Sequence, residues 1–530
     1  MLKEIYRPEW CAGRYYRTEL CSQALLYNLI EGMAYLFEEE SADLVGAILN
    51  VPKNVQIPLQ TLIESTNNQF TEDEIIWFCE ELISAGLITE GLLSENIISN
   101  NRKIVGQRRK NQTINVEKTI LEKLPFIQDE AEDAYMGILE KSRIPFVVMF
   151  ELTYNCNEKC VHCFNPGASR NDNEKSTRTD REEIDIKHYE KLLDDLKGLG
   201  VVKIILTGGD PFVKKDIWKL IEMIHERDFV FDIYTNGLAI LGRTEKLAKF
   251  YPRSVGLSIY SEVDEIHDGI TRVKGSLKKT LSVANEIVDF GIPLYFKCPI
   301  MTHNATSYFT VSELAKKYGA IPQIDITLTD AVDGDTSIGE NLQVDGELLE
   351  IILRDPNIPL YVGKEAPNFG GQERDKTQPF CGAGSVMMNI TPEGDVTPCN
   401  SFPTQFGNLK KNTFSDIWNS SKSLNDWQKI VINDYEECGT HERCNFCNRC
   451  PGQSFIEHGT PLKASTANCY SANVRMNLAN KLKNGIDPLN GKSIEECLSS
   501  IDNIIPVVNS NKNEINYRNQ ELNLKYKANS

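Results

Sequence analysis

The chain has 530 residues, 41% of them apolar, and a formal net charge of −18. That length exceeds one ordinary core and leads us to expect roughly two to four domains. A charge of that sign argues against a general nucleic-acid binder, which needs clustered Lys and Arg to neutralise phosphate. Charged residues interrupt the N-terminus at once, and no apolar run approaches the length of about 20 residues a membrane span requires. The expectation is a cytoplasmic chain without a membrane partner. Its 15 cysteines would then be reduced, and close-set ones would be metal ligands or catalysts rather than disulfides.

Residues 1–95 read as a small separate unit. Two apolar runs, Ala24–Ile30 and Met33–Phe37, flank a Glu31-Gly32 turn and predict a hairpin. Ser41 is expected to cap a helix over Ala42–Leu49. Thr71 and Glu74 form a capping-box pattern ahead of a helix over Ile75–Ala85 that Gly86 ends. With no cysteine cluster or polar constellation, the unit reads as a binding module. Residues 96–140 are polar and read as a linker, in which the basic stretch Arg102–Lys110 is a solvated segment.

From Phe146 short β-rich runs alternate with helical patterns. The runs are Phe146–Phe150, Val201–Leu206, Phe229–Tyr234, Val255–Tyr260, Leu294–Cys298 and Ile324–Leu328. Amphipathic stretches such as Tyr189–Leu199, Ile217–His225 and Leu277–Val288 lie between them. Repeated βα units imply an α/β fold with a parallel sheet, doubly wound or curled into a barrel, over residues 141–335. Residues 336–380 bridge to a cysteine-dense, turn-rich region over 381–480. The Asn-, Lys- and Ser-rich tail over 484–530 reads as mostly disordered, with one short helix near Ile494–Ile501.

Cys156-Asn-Glu-Lys-Cys160-Val-His-Cys163 directly follows the first strand of that domain. Three thiolates on one loop grip three irons of a cubane and leave the fourth iron open. A structural zinc would want four ligands at paired spacing. The C-x3-C-x2-C loop followed by Phe164 resembles the signature of the radical S-adenosylmethionine (SAM) superfamily. The resemblance implies a partial (βα)6 barrel, SAM bound at the open iron of a [4Fe-4S] cluster, and cleavage of SAM to a 5′-deoxyadenosyl radical. It also implies SAM-binding roles for Phe164, for Gly208, Gly209 and Asp210 after the second strand, and for Asn236 after the third. Ser258, Arg272 and Asn304 complete that set. Asp210, where the family usually has Glu, is expected to meet an ammonium and Arg272 a carboxylate.

A second cysteine field follows: Cys381, Cys399, Cys438, Cys444, Cys447, Cys450 and Cys469. The turn Pro392-Glu393-Gly394-Asp395 predicts a hairpin between the first two. So many thiols exceed one metal site, and two iron–sulfur clusters fit better than zinc knuckles. The field resembles the SPASM extension of peptide-modifying radical SAM enzymes. Its Cys438–Cys450 spacing is closer to the variant in enzymes that make thioether crosslinks. The resemblance implies about three [4Fe-4S] clusters in all. It assigns Cys381 and Cys399 to an inner auxiliary cluster and Cys438, Cys444 and Cys469 to an outer one, with Cys447 and Cys450 unassigned. The N-terminal unit is similar to the winged-helix element that binds the leader of a ribosomally made precursor peptide.

Together these features imply a radical SAM peptide maturase that installs a crosslink, with a thioether favoured. An electron donor such as flavodoxin or ferredoxin is the expected partner, and no nucleic acid is expected. Asp330 and Asp333, after the last strand, are candidates for a general base, against a reading as exposed loop acids. Rival readings are a radical SAM enzyme acting on a protein side chain, as in sulfatase maturation, or on a small molecule, and a non-enzymatic iron–sulfur electron carrier or peptide-binding adaptor.

Overall fold

A computed structural model describes residues 4–18, 21–66, 69–115, 130–168 and 182–501. The N-terminal unit opens with β1 (Ile5–Tyr6) and a meander of β2 (Cys11–Arg17), β3 (Ser22–Asn28) and β4 (Met33–Glu38). Helix α1 (Glu39–Asn50), β5 (Gln56–Ile57), α2 (Leu59–Ser65), α3 (Glu72–Ser84) and β6 (Thr89–Glu90) follow. The expected hairpin is β3–β4, with Asn28 opposite Met33 and Gly32 at φ 75°. Thr71 and Glu74 close the expected capping box on α3, and Gly86 follows its end at φ 67°. Ser41 is not the cap of α1. The helix starts two residues earlier, and Ser41 is its third residue, bonding back to the cap Glu38.

This unit is not free-standing. Strand β3 is buried on both faces. Ala24 and Leu26 face α1 and the unit's own core, whereas Leu25 and Tyr27 join Val147, Met149, Ile205 and Val230 from the larger domain. Arg7, 2% exposed, reaches Asp228 at 2.5 Å, and Arg14 donates to the Val201 carbonyl at 2.9 Å. Cutting the chain at residue 95 would therefore bare apolar strand surface and strand Asp228, so it removes stability as well as any recognition. Period-2 alternation shows that a strand has two faces but not what covers the second.

The polar stretch 96–140 carries α4 (Glu95–Asn115) and α5 (Glu130–Lys141). Its basic segment is anchored rather than solvated: Arg109 donates to the Gly291 and Ile30 carbonyls, and Arg102 lies 3.8 Å over the Tyr251 ring. Helix α5 plugs the base of the main domain. Its Glu132 pairs with Lys203 at 2.6 Å and Arg253 at 2.9 Å, and its Tyr135 and Leu139 pack in the same core as Val147 and Met149.

The main domain alternates β7 (Val147–Glu151), α6 (Ile186–Leu199), β8 (Lys203–Thr207), α7 (Ile217–Glu226), β9 (Val230–Thr235), α8 (Thr244–Ala248), β10 (Ser254–Ser258), α9 (Asp264–Thr271), α10 (Ser276–Asp289), β11 (Leu294–Pro299), α11 (Phe309–Tyr318) and β12 (Ile321–Asp325). Asp185 caps α6 by accepting from Lys187 and His188, and Gly200 ends it at φ 94°. Strands β7 to β12 are parallel and adjacent in chain order. Right-handed crossovers that always step the same way keep the helices on one face and curl the sheet. A doubly wound sheet would reverse its order at a switch point. The fold is therefore the partial barrel. Phe150, Leu206, Ile233, Leu257 and Phe296 face the helices, and the alternate residues face the concave side.

The sixth strand lies three residues earlier than expected. Pro322 would argue against a central strand but is tolerated here because β12 is the sheet edge. Ile326 and Leu328 are buried as loop. The bridge carries α12 (Ser337–Leu342) and α13 (Gly346–Ile352). The expected hairpin is β13 (Met387–Ile390) and β14 (Asp395–Thr397), and β13 extends the barrel sheet by pairing parallel with β7. Beyond β15 (Gly407–Asn408) come α14 (Phe414–Ser420), α15 (Lys422–Trp427), α16 (Pro451–His458), α17 (Thr466–Lys483) and α18 (Ile494–Ser499), the short helix expected near the tail. Residues 502–530 of that tail lie outside the described residues. Among the described residues no helix is long and apolar enough to cross a membrane.

Candidate active site and iron–sulfur centres

The first cysteine loop leaves the top of β7 and is clamped from two sides. On one side the loop after β8 runs against it: Gly209 donates to the Thr153 carbonyl at 2.6 Å and Asp210 to that of Asn155 at 3.0 Å. This approach needs glycine. A Cβ on Gly208, at φ 132°, would lie 2.4 Å from the Thr153 oxygen, and one on Gly209 would lie 2.2 Å from the Asn155 oxygen. On the other side Lys159 and Val161 donate to the Thr271 and Ile270 carbonyls at the end of α9. Val161 and Phe164 pack on a small core of Tyr260, Ile266, Ile270, Met301 and Leu328. Gly209→Ala should push the loop away, lowering iron content and cutting SAM cleavage roughly a hundredfold. Iron analysis and 5′-deoxyadenosine yield check this, and near-normal values would show that the clamp is dispensable.

Cys156 and Cys160 share one buried environment. Burial pushes Cys156 up to about 12, with Asp210, Glu158 and Cys163 adding to the shift. Burial raises Cys160 well above the thiol range, and Glu158, Cys163 and Cys156 push it further. Bound iron reverses such a penalty, because its positive charge favours the thiolate. Asn236 presents its amide to Cys156 Sγ at 3.5 Å and to Asn157 at 2.6 Å.

The other expected SAM contacts divide. Ser258 ends β10, and Arg272, at φ 59°, caps α9 with its guanidinium 3.5 Å from the Lys159 carbonyl. Both stand beside the cysteine loop or above the concave face. Asp210 does not offer itself to an ammonium. It is wholly buried and accepts from Phe212, Thr235 and Asn236 at 2.9, 2.5 and 3.0 Å, which makes it a strut between strand tips. Asn304 is likewise wholly buried, bonding Tyr260, Pro299 and Met301. A strand-end position in the sequence says nothing about whether a polar side chain turns outward or ties the loop together.

The two base candidates are also engaged. Asp330 is 3% exposed. Its N–H donates to Gln453 Oε1 at 3.0 Å, and its carboxylate accepts from Gln453 Nε2 and Gly339, both at 2.6 Å. Burial pushes it up to about 6, against those hydrogen bonds. Asp333 accepts from the Gly167 N–H at 2.7 Å. Asp330 is thus neither an exposed loop acid nor open to substrate. It ties the barrel to α16, whose N-cap is Cys450. Two concave-face groups are missing from the candidates that the sequence suggests, Glu151 and Lys297. Burial pushes Glu151 up to about 7, and it accepts from Asn389 at 2.9 Å. A carboxyl ending an apolar strand is the signal that could have found it.

The seven later cysteines form two neighbourhoods. Burial raises Cys381 and pushes Cys399 up to about 12, with Cys450 the foremost neighbouring thiol in both cases. Burial pushes Cys447 up to about 12, with Cys469, Cys438 and Cys444 adding to it, and Cys444 and Cys469 likewise raise Cys438. Arg449 bonds the Cys438 thiol and stacks 3.8 Å over Tyr435. Among the described residues no three His, Cys, Asp or Glu converge closely enough for a single ion. A cubane does not require that convergence, because its thiolates bind separate irons.

Comparison with known proteins matches the two regions that carry the cysteine groups. Residues 150–306 match the radical SAM superfamily, and residues 381–451 match the SPASM iron–sulfur cluster-binding domain. The chain is 26% identical over 326 residues to the antilisterial bacteriocin subtilosin biosynthesis protein AlbA of Bacillus subtilis, covering 58% of this chain and 67% of that one. It is 25% identical over 319 residues to the PqqA peptide cyclase of Ruegeria pomeroyi, covering 58% and 80%. Its fold resembles that of Streptococcus suis SuiB bound to precursor peptide SuiA, with a TM-score of 0.52 and 16% identity over 88% of this chain and 99% of that one. Matched motifs, barrel topology and thiol placement converge on one conclusion: the chain carries a radical SAM domain and a SPASM domain, and is an enzyme that uses SAM and [4Fe-4S] clusters.

Proposed function

We propose that this enzyme installs a crosslink, a thioether, in a ribosomally synthesised precursor peptide. The observation that carries the reading is the union in one chain of the clamped three-thiol loop and a seven-thiol field, aligned with relatives named for bacteriocin biosynthesis and peptide cyclisation. Cys156, Cys160 and Cys163 would hold the SAM-binding cluster. Cys381, Cys399 and Cys450 would hold the inner auxiliary cluster, and Cys438, Cys444, Cys447 and Cys469 the outer one. When bound, the first cluster and SAM supply a carbon-centred radical that abstracts hydrogen. This chain's residues supply the rest. Asn236, Ser258 and Arg272 orient SAM, and the Asp330–Gln453 bracket holds the Cys450 thiol in register with the barrel. A flavodoxin- or ferredoxin-like donor would reduce the SAM-binding cluster, and the auxiliary clusters held by the later thiols would take up the electron left when the new bond forms.

The N-terminal unit would hold the leader. Its β4 is a sheet edge, the form to which an extended peptide adds as a strand. Phe37 on that strand meets Phe78 of α3 at 6.0 Å, and the adjacent Trp77 is 62% exposed. Mass spectrometry of a candidate precursor co-expressed with the enzyme tests the function. The expected product is lighter by two hydrogens per crosslink and has lost one alkylatable cysteine for each. An unchanged mass across precursors would sink the peptide reading. A lighter product whose cysteines all remain alkylatable would replace the thioether with a bond to carbon.

A further inference from the structure

Lys297 lies on the concave face of β11, because its neighbours Phe296 and Cys298 face the helices. Its stem crosses β10 at Gly256. A Cβ there would lie 2.9 Å from both Lys297 Cδ and Tyr234 Cδ1, so glycine in mid-strand clears the space the lysine occupies. The ammonium sits 3.9 Å over the Tyr234 ring and donates to Gln323 Oε1 at 3.0 Å. An ammonium has three donors, and Lys297 forms no ion pair among the described residues. Two acids lie near. Asp232 is committed to Arg253 at 3.1 Å and Ser254 at 2.7 Å, and Asp325 accepts from Thr327 at 2.8 Å. Burial lowers Lys297, and those two acids oppose the shift. A half-buried ammonium held by one carboxamide and one ring face, with no carboxylate among the described residues bound to it, has donors left for a ligand.

The surroundings say what that ligand would be. Ser258 pairs with Lys297 in the sheet register, and Lys297 pairs with Gln323. The backbone register thus sets Ser258, Lys297 and Gln323 side by side on β10, β11 and β12. Asn236 stands at the same end of the neighbouring β9. Gln323 and Asp325 on the edge strand are exposed, so the row opens to solvent where the barrel is incomplete. An ammonium beside a carboxamide suits a carboxylate far better than a neutral amide.

We propose that Lys297 and Gln323 form a carboxylate-binding subsite that holds an acidic side chain of the substrate beneath the SAM site. The form of the probe rests on the peptide reading above, but the chemistry of the row does not. The test is equilibrium dialysis of four radiolabelled probes against the full-length enzyme, with clusters reconstituted and SAM saturating. The probes are the blocked pentapeptide Gly-Gly-Glu-Gly-Gly, its Gln twin, glutarate and glutaramide. The glutamyl peptide should bind about tenfold more tightly than its twin. K297M should erase that preference and K297R should keep most of it.

Equal binding of both peptides and of both small probes overturns the subsite, as does a preference that survives in K297M. If glutarate is preferred in a Lys297-dependent way while neither peptide binds, the subsite stands and the peptide reading fails. A preference present only without SAM would give the row to SAM's own carboxylate and overturn the proposal.

Discussion

Replacing Cys156, Cys160 and Cys163 together by alanine should lower iron by about four per chain and reduce 5′-deoxyadenosine formation to background. The three thiols are the only cysteines on the loop clamped between the tip of β8 and the end of α9. Their removal leaves nothing at that position to hold iron. The remaining seven clustered thiols sit on other elements, so the auxiliary iron should persist and serve as an internal control. Anaerobic reconstitution, iron and sulfide analysis, and product assay under dithionite check this together. If the triple variant still makes 5′-deoxyadenosine, the loop is not the SAM-cleaving centre.

Single substitutions in the second field should be unequal, and the inequality reports the partition. The proposed partition groups Cys450 with Cys381 and Cys399, and Cys447 with Cys438, Cys444 and Cys469, the thiols that raise one another. Three thiolates suffice for a cubane, as the first loop requires, and two do not. Cys450→Ala should therefore cost about four irons per chain, and Cys447→Ala should leave three thiols and most of its iron. Both should keep SAM cleavage, and Cys450→Ala should lose product. Iron counts with low-temperature paramagnetic resonance separate the variants. The opposite inequality would exchange the two cysteines between clusters, and equal losses would mean one shared site.

Local pattern is enough for much of this protein. The Cys156–Cys163 spacing, the Thr71–Glu74 capping box, the Glu31-Gly32 and Glu393-Gly394 turns and the alternation of β-rich and amphipathic runs are each written within a dozen or so residues. Their physics is equally local: hydrogen bonds within one helical turn, a glycine at positive φ, thiols on one loop. That is why the βα domain and its metal loop are legible in the amino-acid order alone.

What the sequence leaves open depends on residues distant along the chain. The barrel, as opposed to a doubly wound sheet, is decided by which way each crossover steps. Residues 1–95 look separable because an apolar strand face carries no label for its partner, and only the packing puts Val147 and Val230 against Leu25. Asp330 resembles a loop acid until Gln453, 123 residues on, closes on it. Asp210 and Asn304 resemble ligand contacts until burial shows them satisfied within the protein. Cys447 and Cys450 are close in the chain yet have different thiol neighbours, because Cys450 caps α16 while Cys447 precedes that helix. Lys297 is one more residue in a strand pattern, and it gains meaning from Gly256 and Gln323 beside it. Spacing along a chain fixes how residues sit within one element. Which element faces which is set by the burial of whole surfaces, and that sum exists only once the chain has folded.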